Sequence, residues 1–484
     1  MNVSPDDAAA ARLTPVGASF KLRYGAGGII DGITTASLTY FLLFYLTTVC
    51  GLSGTLAGTA LLVGLLFDAV ADPVIGLVSD NTRSKRGRRL PYLLYSSVPL
   101  AILFGLLFSI PGWLNGTALL LYSGICALAL RIGLSVFALP YIAVGAEVTD
   151  DYVERSSIVT YRICFSMAGT FLAIGLGLGL FMSGKDGLLN RAAYVPFAWT
   201  CAAIIGLAGL TAAYATKSVL PRLHTALPSE GSIFKRFVIE LSEVFRNRSF
   251  LVLFGAIVAF FVAQGAAGAL ALYVNRYFWN LSAQAVQFVL IGATLGPILG
   301  APLTNWLARL MEKKTLTIAN FLVFIVAQAW PPLARMAGAF EGSSSSITAV
   351  LLVNSLLTGA ALVGVAIGAQ SMMADATDEH EHRFGVRREG LFFSGLTLAV
   401  KAAVGLGGFI AGVALDFIHF PTALAAKGGD FTLAPDVIHN LGLIAGPLPA
   451  AITLLAPLCL LGYTLSRGRH ATLLADLVAR RAAR

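Results

Sequence analysis

Twelve mostly apolar stretches, separated by short polar breaks, follow one another along the chain, and this spacing decides what it can fold into. About 20 such residues cross a bilayer core as a helix, and in lipid only helices and closed barrels satisfy every backbone group. The expected fold is therefore an all-α membrane protein with twelve transmembrane helices. Of the 484 residues 57% are apolar and only 12% charged, with mean hydropathy +0.79, so water is not the main solvent of this surface.

The runs predict spans near 25–49, 55–79, 91–112, 117–147, 158–184, 194–218, 250–277, 283–308, 314–337, 347–374, 390–419 and 441–466. Orientation follows the positive-inside bias of Lys and Arg. Arg83, Lys85, Arg86, Arg88 and Arg89 follow span 2, Arg222, Lys235, Arg236, Arg246 and Arg248 follow span 6, and Arg467, Arg469, Arg480, Arg481 and Arg484 occupy the tail. Those loops are expected in the cytoplasm with both termini, the protein lying in the plasma (inner) membrane. Residues 1–20 hold Asp6 and Asp7 and lack the layout of a cleavable signal peptide.

The domain reading is an N-terminal arm over 1–20, a six-helix bundle over 21–218, a linker over 219–249, a second six-helix bundle over 250–466 and a basic tail over 467–484. In the linker Ile233, Phe237, Leu241 and Val244 recur at helical spacing behind a candidate N-cap, Ser232, which predicts an amphipathic helix. Gly76–Arg89 is echoed by Gly300–Lys314, where Arg309, Lys313 and Lys314 repeat the basic turn, so the two bundles read as pseudo-repeats. Gly292, Gly296 and Gly300 form a small-residue face for helix packing.

The net charge of +9 lies in alternate loops and forms no patch suited to nucleic acid. Five cysteines show no metal-ligand spacing, and neither a metal site nor a cofactor is expected beyond a co-transported H⁺ or Na⁺. A membrane enzyme would need catalytic acids on an exposed loop or a large soluble domain, and the chain has neither, so no catalytic residues are assigned.

A charge at mid-bilayer costs ~2.5–3.5 kcal/mol on insertion scales, so each one asks for a reason. Asp68 and Asp72 in span 2 are one helical turn apart on one face. Two carboxylates that close in oil require a cation between them or a base facing them, and they are read as a cation or proton site. Lys401 in span 11 is the expected coupling base: a charge loaded on the acids would decide whether it is paired or released. Arg162 in span 5 can fork a hydroxyl or carboxylate, or snorkel to the interface. Asp31 in span 1 reads as a substrate acceptor or an arginine partner, whereas nothing fixes where Arg131 in span 4 points. Tyr141, Gln264, Tyr273, Asn275 and Gln370 are polar enough to line a cavity for a hydroxyl-rich solute, or to serve as interhelical contacts.

Around Asp68 the string FDAVADPVIGLVSDNTRSKRGRRLPYLL, Phe67 to Leu94, resembles the glycoside-pentoside-hexuronide:cation symporters of the major facilitator superfamily, the melibiose permease group. KLRYGAGG from Lys21, LPYIAVGAEVTDDYVERSSIVTYR from Leu139 and ADATDEHEHRFGVRREGLFFSGLTLAVK from Ala374 extend the resemblance over most of the chain. It implies the major facilitator fold and symport of a glycoside or other sugar-like solute with a cation by alternating access. Asp68, Asp72 and Ser135 then match cation-site positions, Lys401 the adjoining lysine and Arg162 the sugar-site arginine. Arg88, Asp375, Asp378, Arg387 and Glu389 match the charged groups that close the cytoplasmic side. The family's oxygen donors are absent at Ala71 and Ala138, and its span-1 aspartate aligns with Gly32. A sodium cage prefers several oxygens whereas a proton needs one carboxylate, so H⁺ coupling is expected over Na⁺. The expected partners are a small-molecule substrate and membrane lipid, with the protein acting as a monomer. The rival readings are a transporter of another organic or amphiphilic, lysolipid-like solute, and a non-transporting sensor.

Overall fold

The computed structural model describes residues 15–184, 186–223, 245, 247–340, 343–385, 389–427 and 432–482. Among them are twelve helices long and apolar enough to cross a membrane. The first six are α1 (Ala18–Val49), α2 (Gly54–Asn81), α3 (Leu90–Phe108), α4 (Gly116–Glu147), α5 (Tyr152–Phe181) and α6 (Arg191–Ser218). The last six are α7 (Arg248–Phe278), α8 (Ala283–Leu310), α9 (Lys313–Met336), α10 (Ser344–Phe384), α11 (Glu389–Phe417) and α12 (Pro435–Leu461). A further helix, α13 (Arg467–Ala482), follows.

Short polar side chains start many of these helices by accepting from an otherwise orphaned backbone N–H. Ser53 caps α2 from Leu56, Ser282 caps α8 from Ala285, Asp151 caps α5 from Glu154 and Asn247 caps α7 from Phe250. The apolar runs are read correctly as helices, but some boundaries differ: spans 1 and 5 begin earlier, at Ala18 and Tyr152. Span 10, expected to end near 374, continues to Phe384 and stops at Gly385, whose φ of +73° suits glycine. Hydropathy falls there because of Asp375, Asp378 and Glu379, yet ion pairs keep those acids helical. Span 12 begins at Pro435 and breaks at Gly446, next to Pro447, which has no N–H to continue the ladder. The Ala445 carbonyl at the break accepts from Gln328 Nε2 of α9 at 2.7 Å. The basic tail is a helix, buried along Leu473 and Leu477.

The chain divides into two compact units, one holding the first six spans with residues 421–427, the other the last six spans and α13. Residues 421–427 join the first unit through the Ala423 N–H, which donates to the Thr47 carbonyl at 3.0 Å. In the first unit α1 packs on α5 and α6, α2 on α4, and α3 on α4 and α6. The second unit repeats this arrangement six helices later: α7 on α11 and α12, α8 on α10, and α9 on α10 and α12. Both α1 and α7 end in a π-helical turn, at Tyr45–Val49 and Val274–Phe278. The small-residue face on α8 meets α10, where a β-carbon on Gly296 would sit 2.4 Å from the Leu356 carbonyl oxygen. The predicted linker helix around Ser232 lies outside the described residues.

Candidate functional site

Asp68 lies midway along α2 and is buried, with 6% of its surface exposed, although Leu66, Phe67, Val74 and Val78 of the same helix are exposed. Helical periodicity therefore leaves an apolar stripe for lipid and turns Gly64 and Asp68, one turn apart, into the bundle. Arg131, midway along the neighbouring α4, donates from Nη1 to Asp68 Oδ2 at 3.0 Å. Its aliphatic stem lies over Gly64, where a β-carbon would come within 2.7 Å of Arg131 Cδ. Glycine thus opens the path by which a long cation reaches a buried carboxylate. Each charge is compensated by the other at a depth where either alone would be costly. The first expectation placed the answering base in the opposite bundle, on Lys401; the structure puts one beside Asp68 in the same bundle. Ser135 follows Arg131 by one turn on α4 and is buried, and Asp72 follows Asp68 by one turn on α2 and is half-buried.

A second polar group lies between α1 and α5. Glycines bring these helices together: a β-carbon on Gly28 would sit 2.3 Å from the Arg162 carbonyl oxygen. The close approach lets Ser166 donate to Asp31 Oδ2 at 2.8 Å, so Asp31 takes a serine hydroxyl. Arg162 is half-buried one turn before Ser166. Of the two roles open to Tyr141, cavity lining or interhelical contact, its contacts here are interhelical. Its ring stacks on Tyr24 with centroids 4.5 Å apart, its hydroxyl donates to the Tyr24 carbonyl at 2.8 Å, and Tyr24 returns the bond to the Tyr141 carbonyl. Tyr141 ties α1 to α4.

In the second unit Lys401 and Gln370 are exposed and Gln264 is half-buried. Tyr273 is fully enclosed, edge-on to Phe420 with centroids 5.3 Å apart. Asn275 donates to the Ala271 carbonyl of its own helix at 2.8 Å.

The expected gate residues are distributed between the units. Arg88 and Arg89, just before α3, both donate to Glu147 at the end of α4, and Arg89 also pairs with Asp80 at 3.0 Å. At the equivalent place in the second unit, Lys313 at the start of α9 grips both oxygens of Asp375 in α10 at 2.8 Å. The repeat seen in the sequence as two basic turns is thus a repeated ion pair. His470 of α13 places Nε2 3.1 Å from Asp378 Oδ2 and 3.7 Å from Asp375 Oδ1. Tyr463 packs beneath, its phenol pushed up by burial and then by Asp375 and Glu379. Glu389 is exposed in the first turn of α11, where an acid favours the helix dipole, and Arg387 lies outside the described residues. Arg131, Glu147, Lys313 and His470 were not assigned roles from sequence. The usable signal for Arg131 was depth, since it and Asp68 both fall at mid-span.

A family described as MFS/sugar transport protein matches residues 23–467. The glucuronide carrier protein homolog of Escherichia coli is 25% identical, with 92% of each chain covered. The inner membrane symporter YicJ of Escherichia coli is 24% identical over 88% of this chain and 90% of its own. Among solved structures, a partially occluded inward-open conformation of the xylose transporter XylE from E. coli superposes with a TM-score of 0.56 at 14% identity, covering 93% of this chain and 98% of that one. Twelve apolar helices in two repeated units, an acid pair at mid-span and a family match over nearly the whole length make this chain an integral, multi-pass member of the glycoside-pentoside-hexuronide:cation symporter family of the major facilitator superfamily.

Proposed function

We propose that this protein is a proton-coupled symporter that carries a glycoside or related sugar-like solute across the inner membrane by alternating access, with both termini in the cytoplasm. The observation that carries this reading is Asp68, a carboxylate enclosed at mid-span and paired with Arg131, with Asp72 one turn along the same helix. An ionisable group at that depth is functional by default. Ala71 and Ala138 offer no side-chain oxygen to a sodium ion, which favours the proton. Asp31, Ser166 and Arg162, grouped between α1 and α5, supply the acceptors and the planar donor that sugar hydroxyls require. The names of the glucuronide carrier homolog and the xylose transporter support a sugar-like solute, and the basic loops support the orientation.

The test is solute-dependent proton movement in proteoliposomes across a panel of glycosides, hexuronides and lysolipids. A glycoside that alkalinises the outer medium confirms the reading. Movement driven only by sodium, or only by an amphiphile, replaces it with the corresponding alternative.

A further inference from the structure

We propose that Arg131 is a tethered cation that occupies the place an alkali metal ion would take beside Asp68, and so bars Na⁺ and Li⁺ from this protein's coupling site. The proposal deepens the symport reading and rests on it for the meaning of the site, although the geometry stands by itself. Three features combine. The guanidinium already donates to Asp68 Oδ2 at 3.0 Å. The pair is enclosed, with 16% of the arginine side chain and 8% of the aspartate side chain exposed, so water screens neither charge well. Gly64 gives up its side chain to let the arginine stem pass, since a β-carbon there would stand 2.7 Å from Arg131 Cδ and 3.0 Å from Nε.

A metal ion arriving at Asp68 would meet the like charge of Arg131 and would have to displace it from the carboxylate. The guanidinium also donates a hydrogen bond to Asp68 Oδ2, which a spherical ion cannot do. Ion selectivity is then set by a residue that contributes no ligand to any ion, in addition to the oxygen donors lost at Ala71 and Ala138. Arg131 acts as a specificity-determining residue through Asp68.

The experiment needs no substrate. Thermal unfolding of the purified full chain is followed while NaCl or LiCl is titrated against choline chloride at fixed ionic strength. The wild type is expected to show no Na⁺- or Li⁺-specific shift. Arg131→Gln is expected to gain a concentration-dependent rise of roughly 2–4 °C in Tm, as for a ligand that binds only the folded state. Adding Asp68→Asn to that variant should abolish the gain. Arg131→Lys, which keeps a charge at the site, should remain insensitive. If Arg131→Gln fails to fold, Gly64→Leu, whose side chain pushes the arginine stem away, should show the same gain. Equal stabilisation of wild type and variant by Na⁺ or Li⁺ overturns the proposal, as does a folded variant that gains nothing. Failure of the transport reading would instead appear as no solute-driven proton movement in proteoliposomes, which leaves this readout untouched.

Discussion

Gly32 of α1 lies so close to Ser166 of α5 that a β-carbon on the glycine would sit 1.8 Å from the serine's carbonyl oxygen and 2.7 Å from the Thr170 nitrogen. Backbone, unlike a flexible side chain, cannot swing aside. The position that aligns with the family's span-1 aspartate therefore has no room for one in this protein, and the acid at that level is Asp31, directed at Ser166. Gly32→Asp, and already Gly32→Ala, should part α1 from α5 and destabilise the protein by about 1–3 kcal/mol or more. Loss of monodisperse protein in detergent, or a large fall in Tm, checks this. Asp31→Asn should fold normally, because its partner is a hydroxyl and not a charge.

Asp68 and Arg131 should behave as a unit. Removing either charge strands the other in the bundle, so Asp68→Asn and Arg131→Gln are each expected to lower stability by about 3 kcal/mol. The double variant should be more stable than the sum of the single losses implies, and a double-mutant cycle of unfolding measurements reads this coupling. In transport, Asp68→Asn should abolish uphill accumulation while solute exchange persists. Undiminished accumulation would remove Asp68 from the coupling step.

Under the proposed function Arg162 holds solute, not ion. Arg162→Ala should raise the apparent KM for solute about tenfold, the loss of one charge-assisted hydrogen bond, with the response to the proton gradient retained. Initial-rate uptake at several external pH values separates the two effects.

Lys401 sits midway along α11 with its side chain exposed, a costly place for an ammonium unless it is used. Lys401→Val is expected to depress accumulation at least tenfold while leaving Tm within about 3 °C of wild type, because little packing is lost. Uptake and melting curves from the same preparation decide it.

The α13 helix should be part of the fold of the second unit. Leu473 and Leu477 are buried in its core, His470 faces Asp378 and Asp375, and Arg480 donates to the His382 carbonyl at 3.0 Å. Replacing Leu473 and Leu477 together by Ala should cost about 2–5 kcal/mol. A chain ending at Ser466 should melt at a correspondingly lower temperature. An unchanged Tm would show that α13 packs without contributing stability.

The number of spans, their helical nature, the two-fold repetition and the membrane setting were determined by the sequence alone, because each depends on local quantities. Run length against bilayer thickness and helical periodicity need no knowledge of neighbours. The pairing of Asp68 with Asp72 on one face was legible for the same reason, since a four-residue step fixes a direction on a helix. Only tertiary structure decided which base answers Asp68, because the partner comes from 63 positions away and sequence carries no rotation angle for α4. It also decided that Tyr141 and Tyr273 are buried: a tyrosine's composition suits a cavity wall and a helix contact equally, and burial depends on what other helices bring against it. The extension of α10 through Asp375 and Asp378, and the helix in the basic tail, escaped hydropathy because acids and bases that neutralise one another across helices look, one residue at a time, like loop.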